Sequence, residues 1–306
     1  MSARRAAREE SQAPAFAADS RYRVDAAAKK AFRVADAPTA PPDDAPDKRT
    51  RKRRLDKLVQ ELALLQHTLY ANDHRALLLI FQAMDAAGKD STIRAVLSGV
   101  DPAGCEVHSF KRPSTEELDH DFLWRTACRL PQRGRIGVFN RSYYEEVLAV
   151  RVHPEFLQAQ KLPDLKGLNR LWAERYESIR DHEKHLARNG TVILKFWLNV
   201  SLEEQRRRFL DRLKEPEKNW KFETADVAER ARWSEYLRAY EHTLRETSRP
   251  WAPWYAIPAD SKSYMRMTVA EILVATLRNM RLRYPQLSDA QREQFQNLRK
   301  RLEQDG

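Results

Sequence analysis

Five short apolar runs, separated by stretches of helical periodicity, constrain this chain more than any other feature. They are ALLLIFQ (76–82), CEVHSF (105–110), RIGVFN (135–140), TVILKFWL (191–198) and WYAIP (254–258). Each is short and continuous rather than alternating, as expected of a strand buried on both faces. Two of the intervening segments open with a capping-box pair, Ser114 with Glu117 and Ser201 with Glu204. A third ends near Arg188 with Gly190 close behind, a plausible helix stop. Strands alternating with helices predict an α/β fold with a parallel five-stranded sheet flanked by helices.

The rest of the chain divides around this core. Residues 1–50 are rich in Ala, Asp, Arg and Pro and poor in large apolar side chains. They are expected to be disordered or to form an extended arm. From Arg51 to about Tyr70, Leu55, Leu58, Val59, Leu62, Leu65 and Leu69 recur at helical spacing and predict an amphipathic helix. Residues 51–285 then form the main domain, and 286–306 a C-terminal helix. Within the main domain, residues 202–246 are long, helical and arginine-rich, with one interruption near Pro216. They are expected to form a helical lid over the sheet edge.

The most informative segment is LLLIFQAMDAAGKDSTIRAVL, residues 77–97. A buried strand ends near Gln82, a loop of mostly small residues follows, and Lys89 opens a helix. Small residues let backbone amides turn toward an anion, and a helix start adds unpaired amides and a positive dipole end. Ala87, Gly88, Lys89, Asp90 and Ser91 are therefore candidates for phosphate binding. Against the pattern GxxxxGK[ST], Ala83 stands at the first glycine and Asp90 at the hydroxyl position.

Here the sequence resembles a known family. AMDAAGKDSTI is similar to the P-loop of the second family of polyphosphate kinases, the polyphosphate:nucleotide phosphotransferases. In that family one Asp lies inside the loop and another follows the Lys, as do Asp85 and Asp90. GRIGVFNRSYYEEVLAVRVHPE (134–155) resembles the family's next strand and helix, with Asn140 in the form of the subgroup that accepts both AMP and ADP. SLEEQRRRFLDRLKEPEKNWKF (201–222) and PWYAIPADSKSYMRM (253–267) resemble its lid and closing segment. The resemblance implies a P-loop kinase-like fold and reversible transfer of phosphoryl groups between polyphosphate and AMP, ADP or ATP. It also implies a homodimer or homotetramer.

Such chemistry needs in-line positioning and positive charge more than covalent help. Lys89 would hold the transferring group, and Asp85 would bind metal or orient it. Arg112 and Arg141 at the sheet edge, Arg207 and Arg208 on the lid, and Arg266 after the last strand are candidates to bracket the phosphates. Magnesium, with manganese as an alternative, would be held by Asp85, Asp90 or Glu145. Asn140, Tyr143 and Glu145 are expected on the nucleotide side. Trp220, with Phe222, offers a surface for the base, and Lys218 and Lys221 lie within reach of its phosphates.

A net charge of +11 suits a polyanion. It equally suits an ATP-dependent nucleoside or nucleotide kinase, or a basic nucleic-acid-binding protein using KRTRKRR at 48–54. The missing glycine and hydroxyl disfavour the first of these. The lack of a helix-turn-helix, zinc-finger or RNA-binding signature disfavours the second. Two cysteines make no disulfide framework, so a cytoplasmic setting is expected. No apolar run approaches the roughly 20 residues needed to cross a bilayer. HEKH at 182–185 lacks zinc-protease spacing and reads as a helix surface.

Overall fold

The computed structural model describes residues 16–25, 32–163, 167–215, 217 and 225–304. Its strands are β1 (Ala76–Gln82), β2 (Cys105–Ser109), β3 (Ile136–Asn140), β4 (Thr191–Asn199) and β5 (Trp254–Pro258). They form one sheet in the order β2-β3-β1-β4-β5, and every pairing is parallel. From β1 the chain passes first to β2 and β3 on one side, then to β4 and β5 on the other. That reversal opens a crevice at the carboxyl end of β1, where α/β sheets hold ligands.

The helices are α1 (Lys48–Asn72), α2 (Lys89–Val96), α3 (Thr115–Leu118), α4 (Trp124–Ala127) and α5 (Ala149–Val152). They continue with α6 (Leu168–Arg188), α7 (Leu202–Lys214), α8 (Ala225–Ala231), α9 (Trp233–Thr247), α10 (Lys262–Asn279) and α11 (Asp289–Gln304). α1 begins three residues earlier than its apolar spacing suggests, because the Asp47 carboxylate caps it. That side chain accepts from the amides of Arg49 (2.8 Å) and Thr50 (3.0 Å). The capping box at Ser114 is complete. At Ser201 only half of it forms, because the Glu204 carboxylate turns to Arg207 and Arg208 instead.

Successive strand residues point to opposite faces, and the two faces are built differently. On one, Phe81, Phe196 and Tyr255 stand in register across β1, β4 and β5, with ring centroids 5.0 and 5.6 Å apart. The Tyr255 hydroxyl donates to the carbonyl of Ala18 (2.6 Å), and the amide of Ala18 donates to Thr276 on α10 (3.1 Å). The stretch 16–25 of the N-terminal arm is thus tied to this face. It also runs along the edge of β5, where Val24 donates to Trp254 and Ala256 donates to Tyr22, each at 2.8 Å. This covers a strand edge that would otherwise stay open.

The other face buries a charge. Lys195 on β4 is fully inaccessible. Its ammonium donates to Glu183 on α6 (2.6 Å), to the Tyr144 hydroxyl (2.8 Å) and to the carbonyl of Thr247 on α9 (2.9 Å). Burial lowers its pKa to about 8, although Glu183 opposes the shift. The Glu183 carboxylate accepts the hydroxyls of both Tyr143 (2.9 Å) and Tyr144 (2.8 Å). HEKH is therefore not a plain helix surface: its Glu183 is fully buried, the counter-ion of a lysine inside the sheet.

Removing one partner of a buried pair leaves the other charge uncompensated. Glu183→Leu should cost about 3–5 kcal/mol in urea unfolding. Glu183→Leu with Lys195→Met should recover at least half of that loss. Strictly additive losses would show that the two side chains do not depend on each other.

Candidate active site

The site starts where β1 runs out. Residues 83–88 turn from Gln82 into α2, and Gly88 sits in the left-handed region at φ 106°. A Cβ there would approach Met265 to 3.2 Å, so this position needs glycine for both conformation and space. Gly88 is also the N-cap of α2, and no side chain caps that helix. Its first amides therefore lack intrahelical partners and face the crevice with the dipole's positive end.

The loop is held from behind by α7. Arg208 is 4% exposed, and its guanidinium donates to the carbonyls of Ala86 (3.1 Å), Ala87 (2.7 Å), Ala259 (2.6 Å) and Asp260 (3.2 Å). Its Nε donates to Glu204 at 2.7 Å. All five donors of the side chain are thus used within the protein. A trans peptide places each carbonyl opposite the following N–H. Drawing the carbonyls of Ala86 and Ala87 toward Arg208 therefore turns the amides of Ala87 and Gly88 the other way. The Ala87 amide closes the turn to Met84 (3.3 Å). Gln205, one helical turn before Phe209, adds a second tie by donating to the carbonyl of Asp85 (3.0 Å).

The front of the site is polar. The Lys89 ammonium lies over the loop and donates to the carbonyl of Ala83 (2.8 Å). Burial lowers its pKa, with help from nearby Arg141, while Asp85, Glu145 and Asp90 oppose the shift. Arg141 follows β3 with φ 63°, an uncommon conformation for a residue with a Cβ. Its guanidinium pairs with Asp85 at 2.9 Å. Glu145 is the main cause that raises the Arg141 pKa, ahead of Asp85. Burial in turn raises the Glu145 pKa, against the pull of Arg141 and Lys89. Asn140 donates to Asp90 (2.5 Å) and to Ser109 on β2 (3.4 Å). Three strand or helix ends are thereby joined through one amide.

The segment after β3 presents these groups by burying its other residues. Ser142, Tyr143, Tyr144, Glu146 and Val147 are all buried, whereas Arg141 and Glu145 stay partly open. Tyr143 and Tyr144 hang from Glu183. Glu146 pairs with the equally buried Arg175 at 3.1 Å. This overturns the expectation that Tyr143 faces a nucleotide: both tyrosines are fully buried because the Lys195–Glu183 pair needs their hydroxyls.

The remaining candidates spread out. Ser91 turns its hydroxyl back to the carbonyl of Gly88 (3.0 Å). Arg112 is exposed beyond β2. Arg207 is exposed on the outer side of α7, paired with Glu204 (2.6 Å) and Asp211 (2.8 Å). Arg266 lies on α10, and its buried Nε makes no hydrogen bond. Lys218, Trp220, Lys221 and Phe222 lie outside the described residues. Sequence reasoning missed Gln205, although a signal existed: Gln205, Arg208 and Phe209 share one helical face, the face that α7 buries.

Three carboxylates, Asp85, Asp90 and Glu145, face two cations, Lys89 and Arg141. A phosphate chain alone would meet an acidic surplus there, so the donor set fits a divalent cation entering with the phosphates. Among the described residues no closed cluster of metal ligands forms.

An anion-binding strand–loop–helix with a lysine at the turn, on a 2-3-1-4-5 parallel sheet, defines a P-loop phosphotransferase fold. The Polyphosphate kinase 2 (PPK2) family profile matches residues 45–285, and the chain belongs to that family. It is 54% identical over 245 residues to an ADP-polyphosphate phosphotransferase of Rhodopseudomonas palustris, covering 80% of this chain and 85% of that one. It is 45% identical over 229 residues to an AMP/ADP-polyphosphate phosphotransferase of Meiothermus ruber, covering 75% and 82%. The crystal structure of Polyphosphate Kinase 2 from Arthrobacter aurescens superposes with a TM-score of 0.81 at 36% identity, covering 90% of this chain and 95% of that one.

Arg208 offers a direct test of the strut. Arg208→Met takes their donor from the carbonyls of Ala86, Ala87, Ala259 and Asp260 and leaves Glu204 with Arg207 alone, which should cost about 2–4 kcal/mol in thermal or urea unfolding. Catalytic efficiency should fall with it. A variant of wild-type stability that only loses activity would mean that Arg208 serves phosphate rather than the loop.

Proposed function

We propose that this protein transfers phosphoryl groups reversibly from inorganic polyphosphate to ADP and AMP, giving ATP and ADP. The observation that carries this reading is the uncapped start of α2, with Lys89 over it and Arg141 opposite. Amides at residues 88–91 and the Lys89 ammonium would take the oxygens of the transferring group. Arg141, oriented by Asp85, would follow the charge as it moves from donor to acceptor. Arg208 acts only through the loop, as a positioning residue. The names of the relatives from R. palustris and M. ruber support polyphosphate as donor and ADP or AMP as acceptor.

Magnesium fits at Asp85 and Glu145, with Asp90 beside them, and would supply charge neutralisation to the phosphates. The nucleotide is proposed to lie on the side of Asn140 and Glu145, with Lys218, Trp220 and Lys221 closing over it. Arg207 and Arg112, both exposed, are proposed to meet phosphates only once the lid segment 202–246 closes.

An assay with ADP, polyphosphate and magnesium, and no other donor, should produce ATP. AMP in place of ADP should give ADP first. Lys89→Ala should lower kcat by about 10²–10³-fold while the unfolding midpoint stays near that of the wild type. ATP-dependent phosphorylation of a nucleoside, with no product from polyphosphate, would instead favour a nucleoside kinase.

A further inference from the structure

The last helix of the lid segment, α9, brings two tyrosines toward the site that the reading above leaves unused. Tyr236 and Tyr240 are four residues apart and so share one helix face. Both feel the charges of Glu145 and Asp85, and Arg141 feels both tyrosines in turn. Their hydroxyls are engaged differently. Tyr236 donates to Glu229 on α8 at 2.6 Å. The Tyr240 hydroxyl makes no hydrogen bond among the described residues, although the side chain is only 3% exposed.

The ring of Tyr240 is fixed in place. It stacks on Trp197 with centroids 5.3 Å apart and planes 26° from parallel. Trp197 lies near the carboxyl end of β4, in register with Gln82, the last residue of β1 before the phosphate loop. Gln82 donates to Ser142 at 3.1 Å, the residue directly after Arg141. The stack therefore borders both the loop and the segment that carries Arg141 and Glu145. Polar groups buried this deeply normally have a partner. Burial, then the Glu145 carboxylate, raises the Tyr240 pKa well above the ordinary value, so the hydroxyl keeps its proton and can donate.

We propose that the Tyr240 hydroxyl donates a hydrogen bond to the attacking phosphate of the acceptor nucleotide. A phosphate oxygen is the acceptor atom that the site is built to receive. α9 meets it from the side of Glu145, where the nucleotide is placed. AMP and ADP both present their terminal phosphate to the transfer point, so one hydroxyl serves either. The inference rests on the acceptor assignment made above.

Calorimetric titration with ADP, AMP and adenosine in magnesium buffer tests this without any phosphate donor. Tyr240→Phe deletes the oxygen and keeps the stack, so its unfolding midpoint should stay near that of the wild type. Its Kd for ADP and for AMP should rise about tenfold, the loss expected for one hydrogen bond to a charged group. Its Kd for adenosine, which has no phosphate, should not change. Tyr236→Phe loses a hydroxyl already engaged by Glu229 and should keep ADP affinity near the wild-type value. In turnover, Tyr240→Phe should raise KM for ADP and leave KM for polyphosphate unmoved.

Unchanged ADP and AMP affinity in Tyr240→Phe would overturn the proposal and return Tyr240 to packing alone. An equal loss for adenosine, or an equal loss from Tyr236→Phe, would overturn it too, by pointing to a loosened α9. A higher magnesium requirement with unaltered nucleotide affinity would place the hydroxyl in the metal's water shell instead. Should the wild type bind neither ADP nor AMP, the acceptor assignment fails and takes this inference with it. Should it bind both but gain no phosphoryl group from polyphosphate, the donor assignment alone fails, and the titration still decides the role of Tyr240.

Discussion

One buried guanidinium decides the shape of the site. Arg208 gathers carbonyl oxygens from the loop after β1 and from the turn after β5, which otherwise would point where an anion must sit. Satisfied from behind, the loop exposes its amides in front. The same contact ties α7 to the phosphate loop. Loop geometry and the seating of α7 thus share a side chain that need not touch substrate.

The front of the site depends on a second buried charge. Lys195 is stable inside β4 only with Glu183, Tyr144 and Thr247 around it. Those partners draw Tyr143 and Tyr144 inward and, with Arg175 on Glu146, leave Arg141 and Glu145 partly open. Polar groups in the core are costly unless fully paired. Here their pairing specifies the one segment that carries an arginine and a carboxylate to the loop. The resulting centre mixes cations and carboxylates, as expected when phosphate and a divalent metal arrive together.

Much of this was legible in the sequence. The run Ala76–Phe81 is apolar and Ala76–Gln82 is buried throughout, so β1 followed from the apolar run and the turn into α2 from Gly88 and Lys89 behind it. Asp85, Lys89, Asp90, Asn140, Arg141 and Glu145 do converge at the carboxyl edge. What local patterns could not supply were partners distant in the chain. Lys195 interrupts TVILKFWL, but nothing nearby names Glu183 or Thr247 as its counterparts, so the inward turn of Tyr143 was hidden. Arg207 and Arg208 look alike as neighbours. Helical phase separates them, since Gln205, Arg208 and Phe209 lie on the buried side and Arg207 on the open one. The arm at 16–25 has too few large apolar residues to predict packing, yet Ala18, Tyr22 and Val24 are buried, held by two backbone hydrogen bonds to β5 and by the side chains of Ser248, Tyr255, Tyr264 and Thr276.

Amide hydrogen exchange at the start of α2 tests the central claim most directly. With the loop carbonyls held by Arg208, the amides of residues 88–91 should exchange quickly in the free protein. Tripolyphosphate with magnesium should slow them strongly, while amides of β1 stay protected in both states. Slow exchange at these positions without any ligand, or no change on adding it, would contradict an anion cradle at this loop.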